Sequence, residues 1–308
     1  MMNLSSRLKE LRDLKNRIVL ITGASSGIGQ ATAFEVARRG AIVVLVARNE
    51  LKLNQVAQQC MLYSGRPAFA FALDVADADA IDKTLTKIRH EVGAVDVVIN
   101  AAGFGDMEPA VDTDPEVTER MFSVNVLGLI YITRQLAGEM IDKHYGAIIN
   151  IASVAAKIPT PKAAVYTATK TAVLGYSDVL RQELRPFGIQ VTTVNPGPVA
   201  TNFFNVADQD GDYLARVANF TVTPQLVAER LVDTIGYHVR EITVPRYFAA
   251  AAVAYHLFPT MGDFVIDQLF KSRTPKHVEL SNGDQSDDEN GAEDNSAADT
   301  DDPTEAPE

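Results

Sequence analysis

The chain has 308 residues, enough for one large domain or two small ones, and its formal net charge is −12. The charge is uneven, because 12 of the 40 acidic residues lie between Glu279 and Glu308, where there is no Lys or Arg; residues 1–278 therefore carry 28 acidic and 28 basic residues. This near-neutral body has no dense basic stripe, which argues against a nucleic-acid partner.

The first segment, residues 1–17, is charged throughout and lacks the apolar run of a signal peptide, so we expect a short leader helix. No window offers about 18 uncharged apolar residues, so no membrane-spanning helix is expected. The single cysteine, Cys60, excludes an internal disulfide and suits a reducing compartment. We therefore predict a cytoplasmic protein in which Cys60 is a small apolar residue on a helix.

Short β-branched runs then alternate with helical segments. The predicted strands are Ile18–Thr22, Ile42–Ala47, Ala68–Leu73, Val95–Asn100, Ala147–Ile151, Gln190–Asn195 and Glu241–Val244. The predicted helices are residues 27–39, 50–62, 77–92, 115–143 and 163–187. Runs such as IVVLVA are almost continuously apolar, as in strands that are covered on both faces. The predicted fold class is therefore α/β, a doubly wound seven-stranded parallel sheet with helices on both faces.

The domain organisation follows from composition. We find neither an internal repeat nor a Pro/Gly-rich linker before about residue 275, so we predict one Rossmann-like domain over residues 1–276. Residues 277–308 have almost no large apolar side chains and cannot bury enough surface to offset chain entropy, so we expect an acidic disordered tail. Such a tail either serves as a solvated extension or docks a basic partner.

The first predicted strand is followed by TGASSGIG, which opens an amphipathic helix. Glycines at such a turn let the backbone approach a pyrophosphate, and the helix N-terminus supplies amide donors and the positive end of its dipole. The spacing is G-x-x-x-G-x-G rather than G-x-G-x-x-G. The predicted cofactor contacts of this turn are Gly23, Ser25, Ser26, Gly27, Ile28 and Gly29.

The ends of the next two strands bear on which dinucleotide binds. Arg48 follows the second strand, where an NAD site usually has an acidic residue for the ribose 2′-hydroxyl. Because a guanidinium can hold a 2′-phosphate with two parallel hydrogen bonds, we predict NADP(H) over NAD(H); the alternative is that Arg48 is a solvated loop cation. Asp74 and Val75 follow the third strand, and Asp74 is expected either to accept from the adenine amino group or to cap a helix.

Polar groups at the later strand ends complete a pattern. NAAG (Asn100–Gly103) follows the fourth strand, Ser153 ends the fifth, and Pro196-Gly197 ends the sixth. Asn125 lies inside a long predicted helix although Asn is a poor helix former, and Tyr166 precedes Lys170 by four residues. In this order, over about residues 16–245, the motifs resemble those of the short-chain dehydrogenase/reductase family.

The spacing of Tyr166 and Lys170 places both side chains on one helix face. A free phenol has a pKa of about 10, and a nearby ammonium group favours the phenolate and lowers that value. We therefore expect Lys170 to make Tyr166 a general acid and base, while the Ser153 hydroxyl donates a hydrogen bond to the same substrate oxygen.

The resemblance implies further roles. Lys170 would also hold the nicotinamide ribose, and Asn125 would anchor a water that feeds a proton relay. Asn100, Ala101 and Gly103 are expected to contact the cofactor. Pro196 and Gly197 are expected to form a rigid turn under the nicotinamide, with Val199 and Thr201 contacting its carboxamide.

The predicted function is an NADP(H)-dependent oxidoreductase that interconverts a carbonyl and a secondary alcohol. One alternative is a nucleotide-sensing or scaffold protein without turnover, although the set Ser153, Tyr166 and Lys170 argues against it. The other is an epimerase or dehydratase of the same fold. The histidines have no metal-ligand spacing, so we predict no metal.

Two C-terminal segments bear on substrate and partners. The insertion at residues 201–222 is expected to be either a lid over an apolar small-molecule substrate or a helix packed on its own core. The segment 247–273, which Pro259 divides into two helices, resembles the extension of hydroxysteroid dehydrogenase-like members. It is expected to cover the pocket or a subunit interface, with interfacial membrane contact as the alternative. The family resemblance implies a homodimer or homotetramer.

Overall fold

Seven parallel strands form one sheet in the computed structural model, which describes residues 4–208 and 211–270. The strands are β1 (Ile18–Thr22), β2 (Ile42–Ala47), β3 (Ala68–Ala72), β4 (Val97–Asn100), β5 (Ala147–Ile151), β6 (Gln190–Pro196) and β7 (Glu241–Val244). Their order across the sheet is β3-β2-β1-β4-β5-β6-β7, and every neighbouring pair is parallel. The predicted seven-stranded parallel sheet is confirmed, with strand ends that differ by at most two residues.

Helices cover both faces of this sheet. They are α1 (Leu4–Glu10), α2 (Gly27–Arg38), α3 (Glu50–Ser64), α4 (Ala78–Glu91), α5 (Pro115–Phe122), α6 (Leu129–Lys143), α7 (Ala164–Leu184), α8 (Phe203–Ala207), α9 (Asp212–Val217), α10 (Pro224–Val232), α11 (Tyr247–Leu257) and α12 (Pro259–Phe270). Side chains alternate between the faces along each strand: Val19 and Ile21 of β1 join one core cluster, whereas Leu20 joins the other. The continuous apolar character of the strands is the direct result of this two-sided burial.

The predicted helix 115–143 is not one α-helix. Between α5 and α6 the backbone widens into a π-helical segment, Ser123–Gly128, which contains Asn125. Gly128 ends this segment against the loop after β3, where a Cβ would lie only 2.3 Å from the carbonyl oxygen of Val75. Such π segments are frequent at functional sites, and this one turns Asn125 into the interior.

The leader segment belongs to the core. Helix α1 confirms the predicted leader helix, and Leu8 within it, together with Leu11 and Leu14 after it, joins the same core cluster as Val227 and Leu231 of α10. All three leucines are almost completely inaccessible to solvent. The N-terminal segment therefore forms part of the packing on one face of the sheet.

Cys60 is buried in α3, as predicted. Burial raises the pKa of its thiol to about 12, so the thiolate needed for nucleophilic chemistry is not formed near neutrality.

Pro259 divides the C-terminal segment into α11 and α12, also as predicted. Among the described residues, no helix is long and apolar enough to cross a membrane. The predicted domain boundary at residue 276 and the acidic tail 277–308 lie outside the described residues. The cytoplasmic location stays a prediction.

Candidate active site

The carboxyl ends of four strands meet at one edge of the sheet. In the parallel registers, Thr22 of β1 lies beside Asn100 of β4, and Asn100 lies beside Asn150 of β5. The strand order reverses between β1 and β4, and ligands of open α/β sheets bind at such a switch point. The loops that follow β1, β4, β5 and β6 therefore border one crevice.

The glycine-rich turn after β1 is packed too tightly for side chains at two positions. Gly23 has a φ of +65°, and a Cβ there would lie 2.8 Å from the carbonyl oxygen of Ala101. A Cβ on Gly29 would lie 2.3 Å from the carbonyl oxygen of Gly23. Helix α2 begins at Gly27, so its first amides lie beside a turn whose glycines let the backbone pack without side chains. A glycine-rich turn that leads into the free amides of a helix N-terminus fits the pyrophosphate of a dinucleotide.

The other predicted residues of the turn differ in exposure. Ser25 is half-buried and Ser26 is exposed, while the side chain of Ile28 packs against the core and leaves only its main chain toward the crevice. Ser26 precedes α2 but makes no side-chain hydrogen bond to the first turn of that helix within the described structure. The hydroxyls of this turn are thus not used for helix capping.

The outer end of the crevice is charged. Arg48 is exposed directly after β2, and Asp74 follows β3 with one oxygen accepting from the amide of Ala76 at 3.0 Å and the other from Arg120 of α5. Burial acts to raise the pKa of Asp74, but these two hydrogen bonds and the charges of Arg120 and Arg48 hold it below its usual value. The residue that caps α4 is Asp77, so the capping alternative for Asp74 is wrong.

Polar side chains beneath the crevice fix the loop after β4. The hydroxyl of Thr22 accepts hydrogen bonds from the amides of Ala101 and Ala102 at 3.1 and 3.0 Å. The amide of Asn100 points into the core and donates to Thr133 and Asn150, each at 2.9 Å. Asn100 is therefore placed to support the site from below, and any contact it makes with a cofactor would come from its main chain.

Asn125, Lys170 and Gly103 lie together. The Asn125 side chain accepts a hydrogen bond from the backbone amide of Phe104 at 3.0 Å and donates one to the backbone carbonyl of Phe104 at 2.8 Å. The Nζ of Lys170 donates to the carbonyl of Ile151 at 3.0 Å. A Cβ at Gly103 would lie 3.0 Å from the Oδ1 of Asn125 and 3.4 Å from the Nζ of Lys170. The loop after β4 is thus held on the π-helical segment and against α7.

Tyr166 and Ser153 complete the predicted catalytic set. Burial raises the pKa of Tyr166 to about 12, and a hydrogen bond with Ser153 acts in the opposite direction. The Oγ of Ser153 accepts from the amide of Ala155 at 3.1 Å, which leaves its O–H as the donor in the hydrogen bond with Tyr166. The Nζ of Lys170 lies 5.8 Å from the centroid of the Tyr166 ring, and burial lowers its pKa to about 8.

The expectation that Lys170 lowers the pKa of Tyr166 is therefore wrong for the structure described. Burial disfavours both charged forms, because neither the phenolate nor the ammonium keeps its full hydration. The ammonium group of Lys170 also bonds to the carbonyl of Ile151. The result is a phenol that stays protonated at neutral pH beside an amine that titrates close to neutrality.

The loop after β6 folds back over the glycine-rich turn. The amide of Gly197 donates to the carbonyl of Val244 at 2.8 Å, and Val199 pairs with Val222 of the insertion. Thr201 lies against Gly27, where a Cβ would approach its Cγ2 to 3.3 Å. Pro196 ends β6, so these predicted residues and the glycine-rich turn border the same crevice.

The insertion at residues 201–222 places aromatic rings beside Tyr166. The Phe203 ring lies 5.6 Å from the Tyr166 ring, and Phe204 and Tyr213 are buried behind it. Met107 packs into the same cluster from the loop after β4. The insertion thus packs on a buried cluster of its own beside Tyr166, and a role in covering the substrate stays a prediction.

The comparison with known sequences decides the family. A sequence model described as short chain dehydrogenase matches residues 17–211, which is more than half of the chain. The chain belongs to the short-chain dehydrogenase family. It is an oxidoreductase of that family, as the Ser153, Tyr166 and Lys170 pattern predicts.

Related short-chain dehydrogenases cover most of the chain. An uncharacterized oxidoreductase of Staphylococcus epidermidis is 33% identical over 239 residues, which is 75% of this chain and 97% of that protein. Among solved structures, a short-chain dehydrogenase from Sphingobium yanoikuyae in complex with NADPH is 27% identical, with a TM-score of 0.70 and coverage of 85% of this chain and 98% of that one. L-Sorbose reductase from Gluconobacter frateurii, complexed with NADPH and L-sorbose, is 28% identical, with a TM-score of 0.69 and coverage of 77% and 97%.

Within this short-chain dehydrogenase, sequence reasoning missed several residues that shape the site. They are Thr22, Phe104, Arg120, Thr133, Asn150, Thr169 and Ser177. Polar residues in otherwise apolar strands, such as Asn150 in AIINIA, were the available signal, because a buried amide needs partners. No comparable signal existed for Arg120, whose pairing with Asp74 depends on the placement of α5.

Proposed function

We propose that this short-chain dehydrogenase interconverts a carbonyl and a secondary alcohol with NADP(H), and that Tyr166 is its general acid and base. The observation that carries this proposal is the position of the Tyr166 phenol at the crevice, next to the Ser153 hydroxyl and on the same helix face as Lys170. Three chemically suited groups at the switch point of the sheet are expected for proton transfer to an oxygen.

The bound nicotinamide supplies the hydride in reduction and accepts it in oxidation. Tyr166, protonated at neutral pH, donates its proton to the substrate oxygen as negative charge develops there. Ser153 donates a hydrogen bond to that oxygen and stabilises the same charge. Lys170, with a pKa of about 8, exchanges protons near neutrality and restores the phenol. In this assignment Asn125 keeps the loop after β4 in place through Phe104 and anchors the relay.

The preference for NADP(H) over NAD(H) rests on Arg48. It is exposed after β2, and none of the described residues forms an ion pair with it. The carboxylate of Asp74, close enough for Arg48 to affect its pKa, is paired with Arg120. The Arg48 guanidinium is therefore free to hold a 2′-phosphate, and the NADPH complexes of two similar structures agree with that use.

Replacing Arg48 with Ser should weaken NADPH binding by about 10- to 100-fold, since hydrogen bonds to a charged group contribute about 1.5–3 kcal/mol. NADH, which lacks the 2′-phosphate, should lose little. Titration of the fluorescence of each reduced cofactor measures both constants. Arg66→Ser is the control, because Arg66 precedes β3 and so lies at the amino ends of the strands, away from the crevice at their carboxyl ends. Equal losses for both cofactors would remove Arg48 as the determinant.

The aromatic cluster favours an apolar carbonyl substrate. Phe203 contacts the Tyr166 ring, and Phe204, Tyr213 and Met107 pack behind it, so a substrate beside the phenol would meet hydrocarbon on that side.

A panel of ketones tests both the reaction and this substrate class. Cyclic and aryl ketones should be reduced with a higher kcat/KM than polyhydroxylated ketoses, with consumption of NADPH as the readout. A preference for ketoses would contradict the apolar assignment. Tight NADPH binding with turnover of no carbonyl or alcohol would instead favour a non-catalytic nucleotide-binding protein.

A further inference from the structure

The loop that carries Ser153 is joined to the edge strand β7 by an ion pair. The Nζ of Lys157 donates to both carboxylate oxygens of Glu241, at 2.6 and 2.7 Å. Lys157 follows the short 3₁₀ turn that begins after Ser153, and Glu241 is the first residue of β7. The Lys157 side chain is 21% exposed and that of Glu241 is 35% exposed, so both are largely withdrawn from water.

The hydroxyl of Ser153 belongs to a compact run of hydrogen bonds that ends at Lys157. The Oγ of Ser153 accepts from the amide of Ala155 at 3.1 Å, and the carbonyl of Ser153 accepts from the amide of Ala156 at 3.2 Å. The carbonyl of Val154 accepts from the amide of Lys157 at 2.9 Å. Because these bonds connect the serine to the lysine without a break, a shift of the lysine backbone would also move the hydroxyl.

Glu241 is a fixed anchor for this contact, because β7 is held in the sheet. In the parallel registers Glu241 lies beside Thr193 of β6, and Thr193 lies beside Asn150 of β5. The Nδ2 of Asn195 also donates to the Oε2 of Glu241 at 3.5 Å. Since β5 leads into Ser153, the ion pair closes a ring that runs from β5 through the 3₁₀ turn to β7 and back across β6. A chain closed in this way has fewer conformations than a loop without the cross-link.

The geometry makes this pair stronger than an ordinary surface ion pair. A fully exposed pair contributes little, since water screens the charges and both side chains lose rotamer entropy. Here one ammonium group donates to both oxygens, and partial burial weakens the screening. Within the described parts of the chain neither Lys157 nor Glu241 forms another ion pair, so the loss of either leaves the other without a substitute.

We propose that Lys157 is a positioning residue for Ser153: its ion pair with Glu241 fixes the 3₁₀ turn, and the turn holds the serine hydroxyl where it can donate to the substrate oxygen. A hydrogen-bond donor helps the reaction most when it already lies where the charge will develop. In this assignment Lys157 does not touch the substrate and acts through the serine. The inference rests on the role proposed for Ser153.

Lys157→Met should lower kcat for the best ketone of the panel by about 10-fold, less than the roughly 10²–10³-fold expected for loss of the Ser153 hydroxyl itself. NADPH affinity should not change. Glu241→Gln should have the same effect, and the double variant Lys157→Met/Glu241→Gln should lose no more than either single one, because the two residues act as a pair. Lys157→Arg keeps the charge and should retain most of the turnover.

A Ser153→Ala background separates positioning from a general loss of stability. If Lys157 acts through the serine, Lys157→Met should change kcat by less than about 2-fold in a protein that already lacks the hydroxyl. A loss in that background as large as in the wild type would overturn the proposal. Lys87→Met is the matched control, because it breaks an ion pair of α4 with Glu91 and should leave turnover unchanged.

Hydrogen exchange of the protein without cofactor or substrate gives a readout that needs no turnover. Peptides covering residues 152–163 should exchange faster in Lys157→Met and in Glu241→Gln than in the wild type, whereas peptides of α4 should not change. Thermal unfolding establishes that each variant is folded, and Glu241→Gln serves if Lys157→Met is not. Unchanged exchange over residues 152–163 in the ion-pair variants would overturn the proposal.

The same variants separate this inference from the proposed function. If Ser153→Ala kept full turnover, the proposed mechanism would lose its hydrogen-bond donor, and the role of Lys157 would be wrong with it. If Ser153→Ala lost turnover while Lys157→Met and Glu241→Gln kept it, the proposed function would stand and only the role of Lys157 would be wrong.

Discussion

Tyr166→Phe should lower kcat for carbonyl reduction by about 10²–10⁴-fold, the usual contribution of a positioned general acid. The substitution removes one hydroxyl and keeps the ring, so the contact with Phe203 and the shape of the crevice should persist. NADPH affinity should therefore remain close to that of the wild type. Single-turnover reduction of the best ketone of the panel, together with NADPH titration, separates the two effects.

Tyr145→Phe is the matched control. Tyr145 is also buried, but it precedes β5 and so lies at the amino ends of the strands, away from the crevice. Its hydroxyl has no hydrogen-bond partner among the described residues. Its loss should leave turnover unchanged. If Tyr166→Phe kept full turnover, the phenol would not be the acid, and the mechanism would need another proton donor.

Gly29→Ala should strongly lower the affinity of the protein for NADPH. The added methyl group would lie 2.3 Å from a backbone oxygen of Gly23, which cannot move without opening the turn. Losing two hydrogen bonds from main-chain amides to phosphate would weaken NADPH binding by about 100-fold or more, since each contributes roughly 1.5–3 kcal/mol. The same overlap should lower the free energy of unfolding by about 1–3 kcal/mol.

Gly138→Ala separates this overlap from a general effect of replacing glycine in a helix. Gly138 lies within α6, and a Cβ there meets no described atom within 4 Å. That substitution should raise the free energy of unfolding by about 0.5–1 kcal/mol and leave NADPH binding unchanged. Calorimetric titration and chemical unfolding measure the two quantities. Normal NADPH affinity in Gly29→Ala would argue against the glycine-rich turn as the pyrophosphate site.

The strands and the residues at their carboxyl ends could be located from the sequence because both depend on local patterns. Burial on both faces makes each strand a short apolar run, and the residue after each run must lie at the sheet edge. For this reason Ser153 and Arg48 could be placed without coordinates.

Other features depend on distant packing and gave no local signal. The π-helical segment around Asn125 forms where Gly128 meets the carbonyl of Val75, and its sequence alone reads as a continuous helix. The direction of the Tyr166 pKa shift was predicted from the spacing to Lys170, but burial of the phenol dominates. The outward faces of α11 and α12 were also hidden, because the apolar composition of residues 247–273 does not tell which side chains the body covers.

The leader segment has a practical consequence for anyone who shortens this chain. The family match begins at residue 17, yet Leu8, Leu11 and Leu14 share a buried core cluster with α10, and Arg12 donates to the carbonyl of Gly236. A truncation at the first strand would remove these leucines and expose their apolar neighbours on α10 to water. The expression boundary should accordingly be drawn upstream of Leu8, with any purification tag attached there through a spacer.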